Sequence, residues 1–403
     1  MRTSAFVLGL LLAANGFAAT PPHLKPEEVL APYVQHEELA GAVALVADRE
    51  KVLSVTAVGF ADIEAKKPMT EDAVFWIASQ SKAMTAVAVL MLVDEGKIAL
   101  DDPVEKYLPE FKGQRVAAPK PVAKPEPKDK KKDKDAAAKT APSPVPEPEP
   151  VAAIHPITIR EVLSHVSGLP FKSEEEKPTL DGLPLAEAVK TYAKAPLATQ
   201  PGANYQYSNA GINTAARVLE VVSGMPYEEF MQQRLFGPLG MKDTTFWPNA
   251  EQVSRLAKTY KPDASKRKLV PGSLNQLQAD LTDRQHRFPM PAGGLFSTAR
   301  DVSQFCRMLL NRGELDGRRY ISMKSFEALS VRQTPPNIRQ DYSFGLSVSP
   351  DGFGHGGAQA TNMDIRTKNG IVVVWMVQHQ GFPGAGNKAQ GDFKNWAIRE
   401  FGK

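Results

Sequence analysis

Gly41 to Asp48 is apolar at almost every position, and Lys51 to Gly59 follows it across the polar turn Asp48-Arg49-Glu50, so this stretch predicts a β-hairpin. From Ser79 the chain reads SQSKAMTAVAVLMLVDEG, apolar almost all round and closed by Gly96. That pattern predicts a helix buried on most of its sides. Helical spacing then dominates over Thr158 to His165, Pro184 to Ala193, Ala210 to Ser223 and Tyr227 to Leu235. Strand-like text returns in Tyr342 to Val348, Ala358 to Arg366 and the unbroken run Ile371 to Gln378, and a final helix is expected from about Lys388 to Phe401. Strands at both ends with helices between them predict an α/β (α+β) fold: one antiparallel sheet made by the N- and C-terminal segments, flanked by helices, with a helical domain inserted into it. The sheet domain is assigned residues 20–100 and 285–403, and the helical domain residues 101–284.

Within the helical part, residues 114–153 change character, being rich in Pro, Lys, Ala and Glu and nearly empty of large apolar side chains. Such a segment cannot bury enough surface to offset the entropy of ordering, and a disordered, partly extended spacer is expected. Met1-Arg2, an apolar run from Ala5 to Ala14 and the small residues Gly16-Phe17-Ala18-Ala19 predict a secretory signal peptide over residues 1–19 and an exported protein, periplasmic or secreted. No later run is long and apolar enough to span a bilayer. A chain of 403 residues with a net charge of +4, much of it from the spacer, has material for a large core and no signal of a nucleic-acid surface. The single cysteine, Cys306, sits among Phe305, Met308, Leu309 and Leu310 and reads as buried filler. Nothing in the sequence fixes the oligomeric state.

Three short motifs carry candidate chemistry. Ser79 precedes the buried helix and Lys82 follows three residues later, one turn along on the same face. A serine nucleophile needs a base or a nearby cation, and a desolvated lysine supplies either. Tyr207-Ser208-Asn209 opens a helix; a tyrosine beside an ammonium can be held partly as phenolate, and an asparagine amide can hold a substrate carbonyl. Phe353-Gly354-His355-Gly356-Gly357-Ala358 lies between two expected strands, where glycines allow a ligand close to the backbone. Each motif has a structural alternative: an N-cap serine with a snorkelling lysine, a helix cap with a packed tyrosine, and a glycine-rich turn. Ser265 to Lys268 repeats S-x-x-K in a polar surface stretch, and His379-Gln380-Gly381 repeats the histidine pattern. Gly-x-Ser-x-Gly and His-Glu-x-x-His are both missing, and the seven histidines are scattered, which leaves no metal set.

The order S-x-x-K, Tyr-x-Asn, then Lys/His-x-Gly resembles the serine β-lactamase and penicillin-binding-protein superfamily. More narrowly, it resembles the branch holding class C β-lactamases, D-alanyl-D-alanine carboxypeptidases, D-aminopeptidases and related esterases. Phe75 to Ser79, Ile157 to Leu169, Tyr207 to Gly211, Leu235 to Met241 and Pro291 to Asp301 agree with it, and the similarity runs from about Val43 to the C-terminus apart from the spacer. The resemblance implies a site in the crevice between the two domains, without metal or organic cofactor. It implies Ser79 as acylated nucleophile, Lys82 as its proton partner, Tyr207 as base for hydrolysis of the acyl-enzyme and Asn209 as the group orienting the acyl chain. His355, Gly356 and Gly357 would contact substrate, and the backbone N–H groups of Ser79 and Ala358, the latter on the following strand, would form the oxyanion hole. One departure stands out: His355 occupies the place where dedicated β-lactamases usually carry lysine, which helps hold a substrate carboxylate. The expected substrate is therefore a small ester, or a D-amino-acid amide or peptide. β-Lactamase or D-alanyl-D-alanine carboxypeptidase activity is the alternative, and a non-catalytic wall-binding protein of the same fold is the alternative of another class.

Overall fold

The computed structural model describes residues 24–118 and 149–403. The expected signal peptide, and most of the expected spacer, lie outside the described residues. The two chain ends do meet in one antiparallel sheet. Its strands are β1 (Gly41–Ala47), β2 (Val52–Asp62), β3 (Lys67–Pro68), β4 (Ser347–Ser349), β5 (Gly352–Gly356), β6 (Asn362–Arg366) and β7 (Ile371–Met376). They lie in the order β4-β5-β6-β7-β1-β2-β3. C-terminal β7 pairs with N-terminal β1 in the register Val43↔Met376, Leu45↔Val374, Ala47↔Val372.

β1 and β7 read as unbroken apolar runs because both of their faces are covered. Val43, Leu45, Val374 and Met376 pack into the main core with α2 (Ser81–Asp94) and α4 (Ala299–Leu310). Ala42, Ala44, Val46, Val373 and Trp375 pack on the other side with Leu30 of α1 (Pro26–Gln35) and with Phe393 and Trp396 of α5 (Ala389–Phe401). Each fully buried large aliphatic or aromatic side chain here contributes about 1.5–3 kcal/mol. α2 is buried at every position from Ser81 to Leu92, as its all-round apolar text requires, and packs on α3 (Asn209–Ser223). α3 is capped by the Ser208 hydroxyl, which accepts from the Gly211 N–H at 2.9 Å, and it closes at Gly224 in the left-handed conformation. Cys306 is fully buried on α4, and burial raises its thiol pKa. No helix among the described residues is long and apolar enough to cross a membrane.

Several expectations need correction. Of the segment Tyr342 to Val348 only Ser347 and Val348 are strand, the first two residues of Ser347–Ser349. At Gly345 the chain takes φ 66° and turns in against α2, where a Cβ would stand 2.5 Å from the Lys82 carbonyl oxygen. Ala358 is not on a strand: Gly357 N–H donates to the Thr361 carbonyl at 2.7 Å, closing a turn, and β6 begins only at Asn362. Phe353 to Gly356, expected as a connection, is itself strand β5, paired through His355↔Met363 and Gly356↔Asn362. The spacer boundaries were too wide at both ends, because Arg115–Val116 and Val151–Ala152 pair as a short antiparallel ladder with Val116 buried. Helix Tyr227–Met231 runs on through a π turn, Gln232–Phe236.

Candidate active site

Ser79 lies on a single 3-10 turn, Ala78–Gln80, that leads directly into α2, rather than on the α-helix itself. Ala78 has φ 46°, a left-handed conformation that costs a residue with a Cβ on the order of 1–3 kcal/mol. The surroundings enforce it. Ile77 N–H donates to the Leu295 carbonyl at 3.0 Å, and the Ser81 hydroxyl donates to the Ala78 carbonyl at 2.6 Å. Gly357 crosses so close that a Cβ there would stand 2.6 Å from the Ile77 oxygen. A half-buried hydroxyl is thus presented on a turn that three separate segments hold in place.

Lys82 Nζ is 3.1 Å from Ser79 Oγ and donates to the Ala292 carbonyl at 2.5 Å. The side chain is fully buried, and desolvation holds its pKa well below the ordinary lysine value. Desolvation disfavours the ammonium form, and once neutral the amine can keep one N–H on Ala292 and turn a lone pair to the Ser79 proton, which suits it to act as general base beside its nucleophile. The Ala292 carbonyl is held in turn. Ala292 N–H donates to Asn213 Oδ1 at 3.1 Å, Asn213 Nδ2 donates to the Tyr192 hydroxyl at 3.0 Å, and Tyr192 donates to Glu176 at 2.6 Å. Thr85 donates to the neighbouring Pro291 carbonyl at 2.9 Å.

Tyr207 lies with its ring centroid 4.7 Å from Lys82 Nζ. Burial pushes its phenol up to about 12, with the Ser79 hydroxyl beside it pulling the other way. Burial outweighs that hydrogen bond, so Tyr207 stands as a phenol at neutral pH and not as the phenolate that an adjacent ammonium would favour. Asn209 is the buried first residue of α3, next in line after the Ser208 cap. Gly356 ends β5, and Ala358 is exposed on the turn that follows.

His355 is held on both sides of its ring. Its Nδ1 lies 2.6 Å from the Gly356 carbonyl and its Nε2 lies 2.9 Å from the Tyr342 hydroxyl, so both ring nitrogens are engaged within the protein. Burial first, and Lys82 second, push its pKa down to about 4. The ring supplies neither charge nor a free N–H to a substrate. His165 and Tyr342 complete the wall. The Tyr342 hydroxyl lies 3.2 Å from His165 Nε2, and Ser208 N–H donates to His165 Nδ1 at 3.2 Å. Sequence reasoning missed both residues as functional, and also Asn213. His165 stood inside the matching segment Ile157 to Leu169, but no spacing rule joins it to Tyr342, far along the chain.

The two decoys separate cleanly. Ser265 is an exposed turn residue donating to Asp263 at 2.7 and 2.9 Å. His379 is buried, stacks on Phe382 and accepts from Ala40 N–H at 3.2 Å.

Comparison with known proteins bears on the family and the fold. Protein Rv1367c of Mycobacterium tuberculosis is 30% identical over 382 residues, covering 85% of this chain and 86% of that one. Esterase EstB of Burkholderia gladioli is 32% identical over 225 residues, covering 53% of this chain and 48% of its own. Among solved structures, EstCE1, described as a hydrolase with promiscuous acyltransferase activity, superposes with a TM-score of 0.72 at 22% identity, over 92% of this chain and 97% of its own. Simvastatin synthase (LovD) of Aspergillus terreus also gives 0.72, at 18% identity, over 93% of this chain and 96% of its own. At those identities the two structures speak for the fold alone. The profile of the Beta-lactamase family matches residues 27–392. A match over that much of the chain makes this protein a member of the Beta-lactamase family.

Proposed function

We propose that the protein is an exported serine hydrolase that forms an acyl-enzyme on Ser79 and acts on uncharged esters. The observation that carries the substrate class is the state of His355. Both of its ring nitrogens are engaged internally, and burial keeps the ring uncharged at neutral pH. A β-lactam ring carboxylate calls for a fixed cation at this wall, because a charge-assisted pair orients it for attack. An ester needs none. The names of Esterase EstB and of the lovastatin esterase of Penicillium rubens, 31% identical over 203 residues, support the same class. Export rests on the pattern of residues 1–19.

In this reading Ser79 Oγ–H passes its proton to the neutral Lys82 amine while Oγ attacks the ester carbonyl. The backbone N–H groups of Ser79 and Ala358 receive the developing oxyanion. As the tetrahedral adduct collapses, the Tyr207 phenol gives its proton to the departing alkoxide and regains one from the Lys82 ammonium. Water then attacks the acyl-enzyme, losing its proton to the same Tyr207 and Lys82 pair, and Ser79 Oγ leaves with that proton. Measuring kcat/KM for p-nitrophenyl butyrate and for nitrocefin tests the assignment. The ester is expected to be favoured by a wide margin, and nitrocefin turnover equal to or above ester turnover would overturn it in favour of a β-lactamase.

A further inference from the structure

The proposed chemistry uses neither His165 nor Tyr342, yet both are buried and hydrogen-bonded into the cleft. Their hydrogens can be assigned one by one. Ser208 N–H can only donate, so His165 Nδ1 accepts and is bare. The proton of that neutral imidazole then sits on Nε2, which donates to the Tyr342 oxygen at 3.2 Å. At the far end the Gly356 carbonyl can only accept, so His355 Nδ1 carries the proton and Nε2 is bare. Tyr342, 2.9 Å from that bare nitrogen, donates to it. The chain runs in one direction: Ser208 to His165, His165 to Tyr342, Tyr342 to His355, His355 to Gly356. Reversing any link sets two donors or two acceptors against each other.

Two further features fit. His165 has φ 62°, a left-handed backbone on a side chain with a Cβ, and such strain collects where function requires a fixed geometry. Among the described residues the groups facing the chain are Lys82, Tyr205 and Tyr207, with no carboxylate acting on either histidine, and burial lowers the pKa of both, so the rings stay neutral. The ends of the chain are the backbone of Ser208, between Tyr207 and Asn209, and the backbone of Gly356, just before Gly357 and Ala358.

We propose that His165 and Tyr342 are positioning residues for acyl transfer at Ser79. Their one-directional chain fixes the gap between the Tyr207-Ser208-Asn209 wall and the His355-Gly356-Gly357 wall, and it occupies every polar atom of the His355 ring. This rests on the acyl-enzyme reading above. The substrate then meets the imidazole as an uncharged surface, which makes Tyr342 and His165 determinants of specificity without touching substrate.

The test is long-range 1H–15N NMR on the full chain with 15N-labelled histidine at pH 7, with His165→Gln and His355→Gln used to assign the two rings. The expected spectrum shows opposite tautomers, with the proton on Nε2 of His165 and on Nδ1 of His355. A shared tautomer, or a doubly protonated ring at either position, overturns the proposal whatever the activity. Kinetics of Tyr342→Phe complete it: kcat for p-nitrophenyl butyrate should fall about tenfold with KM little changed, as expected when geometry and not binding is lost. Wild-type kcat in that variant overturns the positioning role. A wild type with the assigned tautomers but no ester turnover overturns the acyl-transfer reading, and the role with it, while a failed tautomer assignment in an active enzyme overturns the chain alone.

Discussion

Replacing Lys82 with Met keeps a long unbranched side chain in a fully buried site and removes only the amine. Turnover should fall by roughly 10²- to 10⁴-fold, the usual worth of a positioned base. Stability should move in a pH-dependent way. The Ala292 carbonyl loses the Lys82 donor now 2.5 Å away, a buried acceptor left unmade at a cost of about 1–3 kcal/mol that does not depend on pH. Against this, the folded wild type holds an amine whose pKa burial has lowered, while the unfolded chain holds it near 10.4. Between those two values unfolding takes up one proton, so wild-type stability rises with pH and falls on acidification. Relative to Lys82→Met the slope is about 1.4 kcal/mol per pH unit. Lowering the pH from 9 toward 7 therefore shifts the difference in favour of the variant for as long as the folded amine stays neutral. Urea unfolding of both proteins at pH 7, 8 and 9, followed by tryptophan fluorescence, measures this directly. Parallel pH curves would show that Lys82 is an ammonium in the folded state and would refute its role as the resting base.

Tyr207→Phe keeps the ring over Lys82 and deletes the hydroxyl, so stability should change by about 1 kcal/mol and ester turnover should drop by roughly 10²-fold; unchanged turnover would leave Lys82 as sole proton carrier. Asn213→Leu removes the amide that joins Ala292 N–H to Tyr192, and kcat should fall about tenfold while KM stays put, with a lower melting temperature from the orphaned donor. Arg287→Met leaves Asp181 buried without its partner, now 2.7 Å away at 2% and 0% side-chain exposure, and should cost about 3–5 kcal/mol in urea unfolding. A change under 1 kcal/mol would show that Asp181 finds compensation elsewhere.

Where burial was symmetrical, the residue pattern alone located the elements. β1, β7 and α2 are apolar on every side because each is covered on every side, and no neighbour had to be known to place them. The segment Tyr342 to Leu346 has the composition of a strand and is not one. Gly345 turns it against Lys82, and the Tyr342 hydroxyl is fixed by two histidines, both tertiary effects with no local signature. β5 was hidden for the opposite reason, since its three glycines read as a turn although the ladders to β4 and β6 hold them in a strand. Of the site, Ser79 with Lys82 was legible as one helical turn, and Tyr207 and His355 were legible through their order along the chain. The charge state of the cleft was not. It depends on desolvation of Lys82 and on which atoms of His355 are already engaged, and these follow only from packing.

The proposed chemistry depends on Ser79 being the residue that is acylated. Treating the full-length protein with a fluorophosphonate, digesting it and locating the adduct by mass spectrometry tests this most directly. One adduct is expected, on the peptide carrying Ser79, and none in Ser79→Ala. An adduct on Ser265, or labelling that survives Ser79→Ala, would contradict it.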